Sequence, residues 1–218
     1  MTIRVMVVDD QSLIRSGLVT LLASAPDIEV VAQAHDGAEA VPLAREHRPD
    51  VVLMDLVMPK VDGMEATLQL LRLPEPPRVL VLTGYTADDL VLDALRAGAA
   101  GFLLKDLRPE ELFAGIRTVA AGGSVLAPAV MRVLLERAAE GRPETPEHAQ
   151  RLESLSPGER GVLALVGEGR TNQQIAEALH LSPASVKTYV SRILTQLDLS
   201  NRTQAAILAH EAGLVHAA

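Results

Sequence analysis

The sequence predicts an α/β chain, a doubly wound parallel five-stranded sheet followed by a small all-α domain. Three observations carry this expectation. Five apolar runs of strand length alternate with helical patterns at intervals of roughly 25 residues, and such repeats force right-handed parallel crossovers. Polar residues able to do chemistry stand just after those runs, where open α/β sheets place their ligands. Beyond Leu155 the pattern is wholly helical, set off by a polar, Pro-bearing stretch at 140–147.

In order, Ile3-Arg4-Val5-Met6-Val7-Val8 is the first strand. It ends in Asp9-Asp10, and Leu13, Ile14, Gly17, Leu18, Leu21 and Leu22 follow at helical spacing. A second strand is expected over 28–32 and a second helix over 37–44, where Pro42 is tolerable only near the first turn. Val51-Val52-Leu53-Met54 are four apolar residues in succession, so this strand reads as buried on both faces, with Asp55 at its carboxyl end. Pro59 and Gly63 punctuate the loop into a third helix, which runs to 73 before the Pro74-Glu75-Pro76-Pro77 break. Strand four, 79–82, ends in Thr83-Gly84; helix four, 88–97, stops at Gly98. Strand five, 101–104, ends in Lys105, and helix five, 109–121, opens with Pro109 and closes at Gly122-Gly123.

The domains expected are 1–122, a linker with a further amphipathic helix at 123–150, and a helical module at 151–218. In that module Ser156 with Glu159 forms a capping box, Thr171-Asn172 opens the next helix, Ser182-Pro183 another, and a last helix starts near Arg202.

Composition narrows the function. The chain has 218 residues, 48% of them hydrophobic, enough for packed cores. No run approaches the ~18 apolar residues of a membrane span and no leader is evident, so a cytoplasmic protein is expected, with no membrane partner. With no cysteine, disulfides, thiolate catalysis and cysteine-bound zinc are excluded. Residues 1–122 hold 18 acids and 11 bases, and 151–218 hold 6 of each. The first part therefore repels polyanions, and nucleic-acid contact must come from a locally basic surface of the second.

Asp9, Asp10, Asp55, Thr83 and Lys105 all stand at strand carboxyl ends, which this topology gathers on one edge of the sheet. Three carboxylates together suit a hard cation such as Mg²⁺ with retained waters. A carboxylate can attack a phosphoryl group, and that chemistry needs positioning and charge neutralisation more than acid–base help. Asp55 is thus the candidate acceptor, Lys105 supplies a cation and Thr83 a hydrogen bond. An Asp after a strand is more often a turn former or helix cap. The joint pattern across four strand ends favours the chemical reading over the bland one.

Val8-Asp9-Asp10, Met54-Asp55-Leu56-Val57-Met58-Pro59, Leu82-Thr83-Gly84 and Gly101-Phe102-Leu103-Leu104-Lys105 together resemble the receiver domain of two-component response regulators. The resemblance implies a sensor histidine kinase as phosphoryl donor and the backbone carbonyl of Val57 as a further metal ligand. It also implies a switch pair at Thr83 and Phe102, although Phe102 equally reads as a plain core residue. Asp106 stands where many receivers have proline.

In the helical module, 172–179 and 183–197 are joined by Leu179-His180-Leu181-Ser182, a turn of helix-turn-helix length. The apolar stripes leave Ser185, Lys187, Thr188, Ser191, Arg192 and Thr195 outward, small or cationic residues able to enter a major groove. Residues 182–203 carry Lys187, Arg192 and Arg202 against Asp198 alone. So small an excess of positive charge predicts weak binding by one module, and hence a homodimer on paired half-sites. Asn172-Gln173-Gln174-Ile175-Ala176 and Val186-Lys187-Thr188-Tyr189-Val190-Ser191-Arg192-Ile193 look like the LuxR-type DNA-binding domain, and the whole chain resembles a NarL/FixJ-type response regulator. That implies base readers at Lys187, Thr188 and Ser191, and phosphate contacts at Thr171, Asn172, Arg192 and Arg202. The expected partners are double-stranded DNA and RNA polymerase, with no enzymatic activity beyond transient phosphorylation and autodephosphorylation of Asp55. Gln174, Tyr189 and Gln196 depart from commoner Glu, His and Lys. The alternative is a receiver that acts through a protein partner without binding DNA.

Overall fold

The computed structural model describes residues 2–58, 62–84, 88–127, 130 and 152–215. Pro59, Lys60, Val61, the helix expected over 128–139 apart from Val130, and the polar linker at 140–147 lie outside them. The chain divides into two compact units, 1–131 and 132–218.

The first unit is a parallel sheet in the order β2-β1-β3-β4-β5-β6. Its strands are β1 (Ile3–Val8), β2 (Ile28–Ala34), β3 (Val51–Met54), β4 (Arg78–Thr83), β5 (Gly101–Leu104) and β6 (Val125–Leu126). Between them run α1 (Ser12–Leu22), α2 (Gly37–His47), α3 (Gly63–Leu71), α4 (Asp88–Ala97) and α5 (Pro109–Ala120). β1 pairs with β2 on one side and β3 on the other. The chain reverses direction across the sheet there, so the crevice beyond the β1 and β3 ends is where this topology binds ligands.

All four β3 side chains are at most 1% exposed, as a strand covered on both faces requires. Val5, Val7, Leu53, Leu80 and Leu103 pack with Leu22 of α1 and with Leu112, Ile116 and Val119 of α5. The alternate residues Met6, Val8, Val52, Val79 and Val81 are equally buried, which leaves the other face to α2, α3 and α4.

Two expectations need correction. The sheet has six strands, because β6 pairs in parallel with β5 through Gly101↔Val125 and Phe102↔Leu126, inside the stretch read as linker. And α2 does not confine Pro42 to its first turn: the helix runs to His47 with Pro42 in its second. Pro42 is exposed, while Ala40, Val41 and Ala44 are buried. Burial of that face outweighs the backbone hydrogen bond that proline cannot make.

The described part of the second unit contains α6 (Pro157–Gly167), α7 (Asn172–Leu179), α8 (Pro183–Gln196) and α9 (Arg202–Glu211). Ser156 and Thr171 form capping boxes with Glu159 and Gln174, and Ser182 and Asn201 cap α8 and α9. Ile175, Ala176, Val186, Ile193 and Leu197 share one core with Val162, Leu163 and Ala209. Leu179, Val190 and Leu194 are only partly buried around it.

Candidate functional site

Asp9 and Asp55 leave adjacent strand ends, and the backbone N–H of Asp55 donates to the Val8 carbonyl at 3.0 Å. Both carboxylates are buried, at 1% and 4% exposure. The Lys105 ammonium, carried past β5, donates to Asp55 Oδ2 at 2.6 Å and lies 2.7 Å from Asp9 Oδ2. Burial by itself would lower the Lys105 ammonium, but its hydrogen bonds to Asp55 and Asp9 outweigh that and hold it above its ordinary value.

The remaining carboxylate oxygens are oriented by backbone. Asp9 Oδ1 accepts from the Gln11 N–H at 2.9 Å, and Asp55 Oδ1 accepts from the Val57 N–H at 3.3 Å. Asp10 differs, because its Oδ1 is buried with no hydrogen-bond partner. One oxygen from each of the three lies within 4.8 Å of the others. A solitary buried acceptor beside two like charges is costly unless a cation satisfies it, so this donor set fits a hard divalent ion.

Gly63 lets the start of α3 lie against the backbone of Asp55 and Leu56. Its N–H donates to the Leu56 carbonyl at 3.0 Å, and a Cβ there would fall 2.0 Å from the Asp55 carbonyl oxygen. Thr83 ends β4 at 1% exposure, and its carbonyl accepts from the Lys105 N–H at 2.9 Å. Phe102 is 1% exposed, so the ring is inward. Leu103 belongs to the α1 and α5 side, so alternation points Phe102 toward the face that α4 covers.

In the second unit Lys187, Thr188, Ser191, Arg192 and Thr195 are all exposed along α8. Thr188 and Thr195 hydroxyls donate back to the Ala184 and Ser191 carbonyls at 3.1 Å each. Thr171 is taken up by its capping box, its Oγ1 accepting from the Gln174 N–H at 3.2 Å. Arg202 is half-buried and donates to Asn172 Oδ1 at 2.7 Å and to the Arg170 carbonyl. Burial holds its guanidinium below the ordinary value.

Sequence reasoning missed two contacts here. Gln196 donates to the Ser154 carbonyl at 2.5 Å and so ties the end of α8 to the turn before α6. The Arg202 bridge is the other. Neither leaves a mark in periodicity, because both join positions 30 or more residues apart.

Residues 5–117 match the model of the response regulator receiver domain, and 153–209 match that of bacterial regulatory proteins of the luxR family. The transcriptional regulatory protein LiaR of Bacillus subtilis is 42% identical over 214 residues, 98% of this chain and 100% of that protein. The DNA-binding transcriptional activator DevR/DosR of Mycobacterium tuberculosis is 40% identical over 96% of this chain and 94% of its own. Among solved structures, the response regulator ChrA of a heme-sensing two-component system aligns with a TM-score of 0.54 and 36% identity. That alignment covers 98% of this chain and 99% of ChrA. These matches favour a DNA output over one through protein contacts alone. The receiver match and the luxR-family match fall on successive parts of one chain, and the chain belongs to the two-component response regulators that couple a receiver to a LuxR-type DNA-binding domain to regulate transcription.

Proposed function

We propose that Asp55 is the phospho-acceptor, loaded by a sensor histidine kinase, and that its phosphorylation controls DNA binding by the 151–218 domain. The observation that carries this is the Lys105 ammonium held between Asp55 and Asp9 at 2.6 and 2.7 Å. An Asp55 carboxylate oxygen attacks the phosphorus of a phosphohistidine. The P–N bond breaks, and the imidazole leaves and takes a proton from solvent. Lys105 swings its charge onto the incoming phosphoryl oxygens, and the buried Thr83 hydroxyl donates to one of them. Asp9, Asp10, Asp55 and the Val57 carbonyl would hold one Mg²⁺, which when bound supplies further charge neutralisation to the phosphoryl group. The chain performs no other catalysis than this transfer and its hydrolysis.

Thr83 and Phe102 form the switch pair: the Phe102 ring is already inward, so the shift of the Thr83 hydroxyl is what repacks around it and carries the change through the sheet. Moving an equilibrium from 1:99 to 99:1 takes about 5.5 kcal/mol; a new bond from Thr83 supplies about 1.5–3 kcal/mol of it, and Lys105 exchanges its present carboxylate bond for one to a more highly charged group. On DNA, Lys187, Thr188 and Ser191 read base edges, while Arg192 and the amino end of α7 at Thr171 and Asn172 meet phosphates. The protein acts in the cytoplasm as a homodimer on paired half-sites, where it engages RNA polymerase.

Incubation of the full chain with acetyl phosphate and Mg²⁺, read by intact mass, tests the acceptor. Wild type gains one phosphoryl group and Asp55→Asn gains none; equal incorporation by the variant overturns the assignment.

A further inference from the structure

The turn between α6 and α7 is exposed from Glu168 to Thr171 and passes through Gly169 at φ 75°. Most of its hydrogen bonds are local: Arg170 N–H to the Leu165 carbonyl, Thr171 with Gln174, and Arg170 Nε to Glu168. Among the described residues, only Arg202 reaches it from beyond α6 and α7. The fork of this guanidinium donates with one nitrogen to Asn172 Oδ1 at 2.7 Å and with another to the Arg170 carbonyl. Both acceptors are neutral, and among the described residues no carboxylate is bonded to Arg202. A planar two-pronged donor on two neutral oxygens fixes a turn in orientation, which a single ammonium cannot reproduce.

We propose that Arg202 is a positioning residue for DNA binding, its fork holding the Arg170–Asn172 turn so that the amino end of α7 meets a DNA phosphate. Arg202 itself does not contact the DNA. This rests on the DNA-binding reading of the second unit and replaces the phosphate contact that family resemblance assigns to Arg202. The guanidinium is half-buried, with both of these nitrogens already directed at protein oxygens. Its cost of desolvation is offset by those bonds, and breaking them to reach a phosphate would free the turn that the phosphate needs.

The test uses the full phosphorylated chain and a duplex selected by the wild type from a random pool. Affinities of Arg202→Lys, Arg202→Met, Asn172→Ala and the Arg202→Met/Asn172→Ala double variant are measured well below each protein's melting temperature. Arg202→Lys and Arg202→Met should each bind about tenfold more weakly, the scale of one or two lost charge-assisted hydrogen bonds. The double variant should lose little beyond the larger single loss, because both substitutions cut the same tether. Three results would overturn the proposal: Arg202→Lys binding within twofold of wild type, losses that simply add in the double variant, or lowered melting with unchanged affinity. A wild-type chain that enriches no duplex would instead overturn the DNA-binding reading, and the proposal with it.

Discussion

A single methyl group added at Gly63 tests how rigidly the backbone presents Asp55. Gly63 is not among the residues at positive φ, so alanine is allowed there by conformation and the obstacle is space alone. The added Cβ would lie 2.0 Å from the Asp55 carbonyl oxygen and 2.7 Å from Leu56 Cα. Both are backbone atoms, so no rotamer change relieves the clash. Moving from 2.0 Å to an ordinary 3.4 Å contact requires about 1.4 Å of separation between α3 and the end of β3. Overpacking of this kind costs about 1–3 kcal/mol, and weakening the Gly63 to Leu56 hydrogen bond adds about 0.5–1.5. Gly63→Ala should therefore lower receiver stability by about 2–4 kcal/mol in urea. A displacement of about 1 Å at a reacting group costs on the order of a hundredfold in rate, so phosphorylation by acetyl phosphate should slow by about that factor. Stability within 0.5 kcal/mol of wild type, together with a rate within threefold, would refute this account of the loop.

The other predictions concern charge. Lys105→Met strands two buried carboxylates and, with partial screening at a site where Lys105 is 16% exposed, should destabilise the receiver by about 2–4 kcal/mol. Mg²⁺ should then raise the urea midpoint of this variant more than that of wild type; equal rises would count against a shared site. Asp27 is held below its ordinary value of 3.8 by the hydrogen bond from Arg117, so that contribution to stability is present above about pH 4 and is lost as pH falls through the lower folded value. Arg117→Ala should flatten that acid limb, and superimposable limbs from pH 2 to 5 would dismiss the pair. On DNA, Arg192→Ala should weaken all duplexes alike and reduce the salt slope by about 1, whereas Lys187→Ala should relax preference at one base position by about 1–3 kcal/mol. A sequence-independent loss for Lys187→Ala would move it to the backbone-contact class.

What could be read from the residues alone followed from where chemistry sits relative to periodicity. An apolar run buried on both faces leaves its first polar residue at the sheet edge, which is why Asp9, Asp55, Thr83 and Lys105 could be grouped before their distances were known. Three helix starts were equally plain, because Ser156, Thr171 and Ser182 carry their caps in local sequence, whereas the Asn201 cap was not read from it. Strand β6 was not legible. Three apolar residues, Val125-Leu126-Ala127, between Gly122-Gly123 and Pro128 are too short a run to show a period, and the strand character of Val125 and Leu126 comes from the edge of β5. Gly101 is part of the reason that edge is open, since a Cβ there would lie 2.6 Å from the Val125 carbonyl oxygen. The roles of Gln196 and Arg202 were hidden for a related reason: polar side chains on helices look alike in sequence until the fold supplies their distant acceptors.

The charge balance of the pocket explains why its parts must act together. Three carboxylates face one ammonium, so the pocket is two charges short of neutrality, and its cation is already shared between Asp9 and Asp55. A divalent ion would meet that deficit and would also satisfy the buried Asp10 Oδ1, which has no hydrogen-bond partner among the described residues. In the proposed reaction Asp55 exchanges one negative charge for the nearly two of an acyl phosphate, so the pocket becomes deficient again by about one. The donors available for that new charge are Lys105, released from the carboxylate it now holds, the Val57 N–H, and the hydroxyl of Thr83 at the end of β4. Lys105 and Thr83 are joined through backbone, Lys105 N–H to the Thr83 carbonyl, so a shift of one is felt by the other. Phe102 lies three residues before Lys105 on the strand that pairs with both β4 and β6. In the proposed reaction a shift of Lys105 toward the new charge would thus be felt at Thr83 and along β5, the strand that carries Phe102.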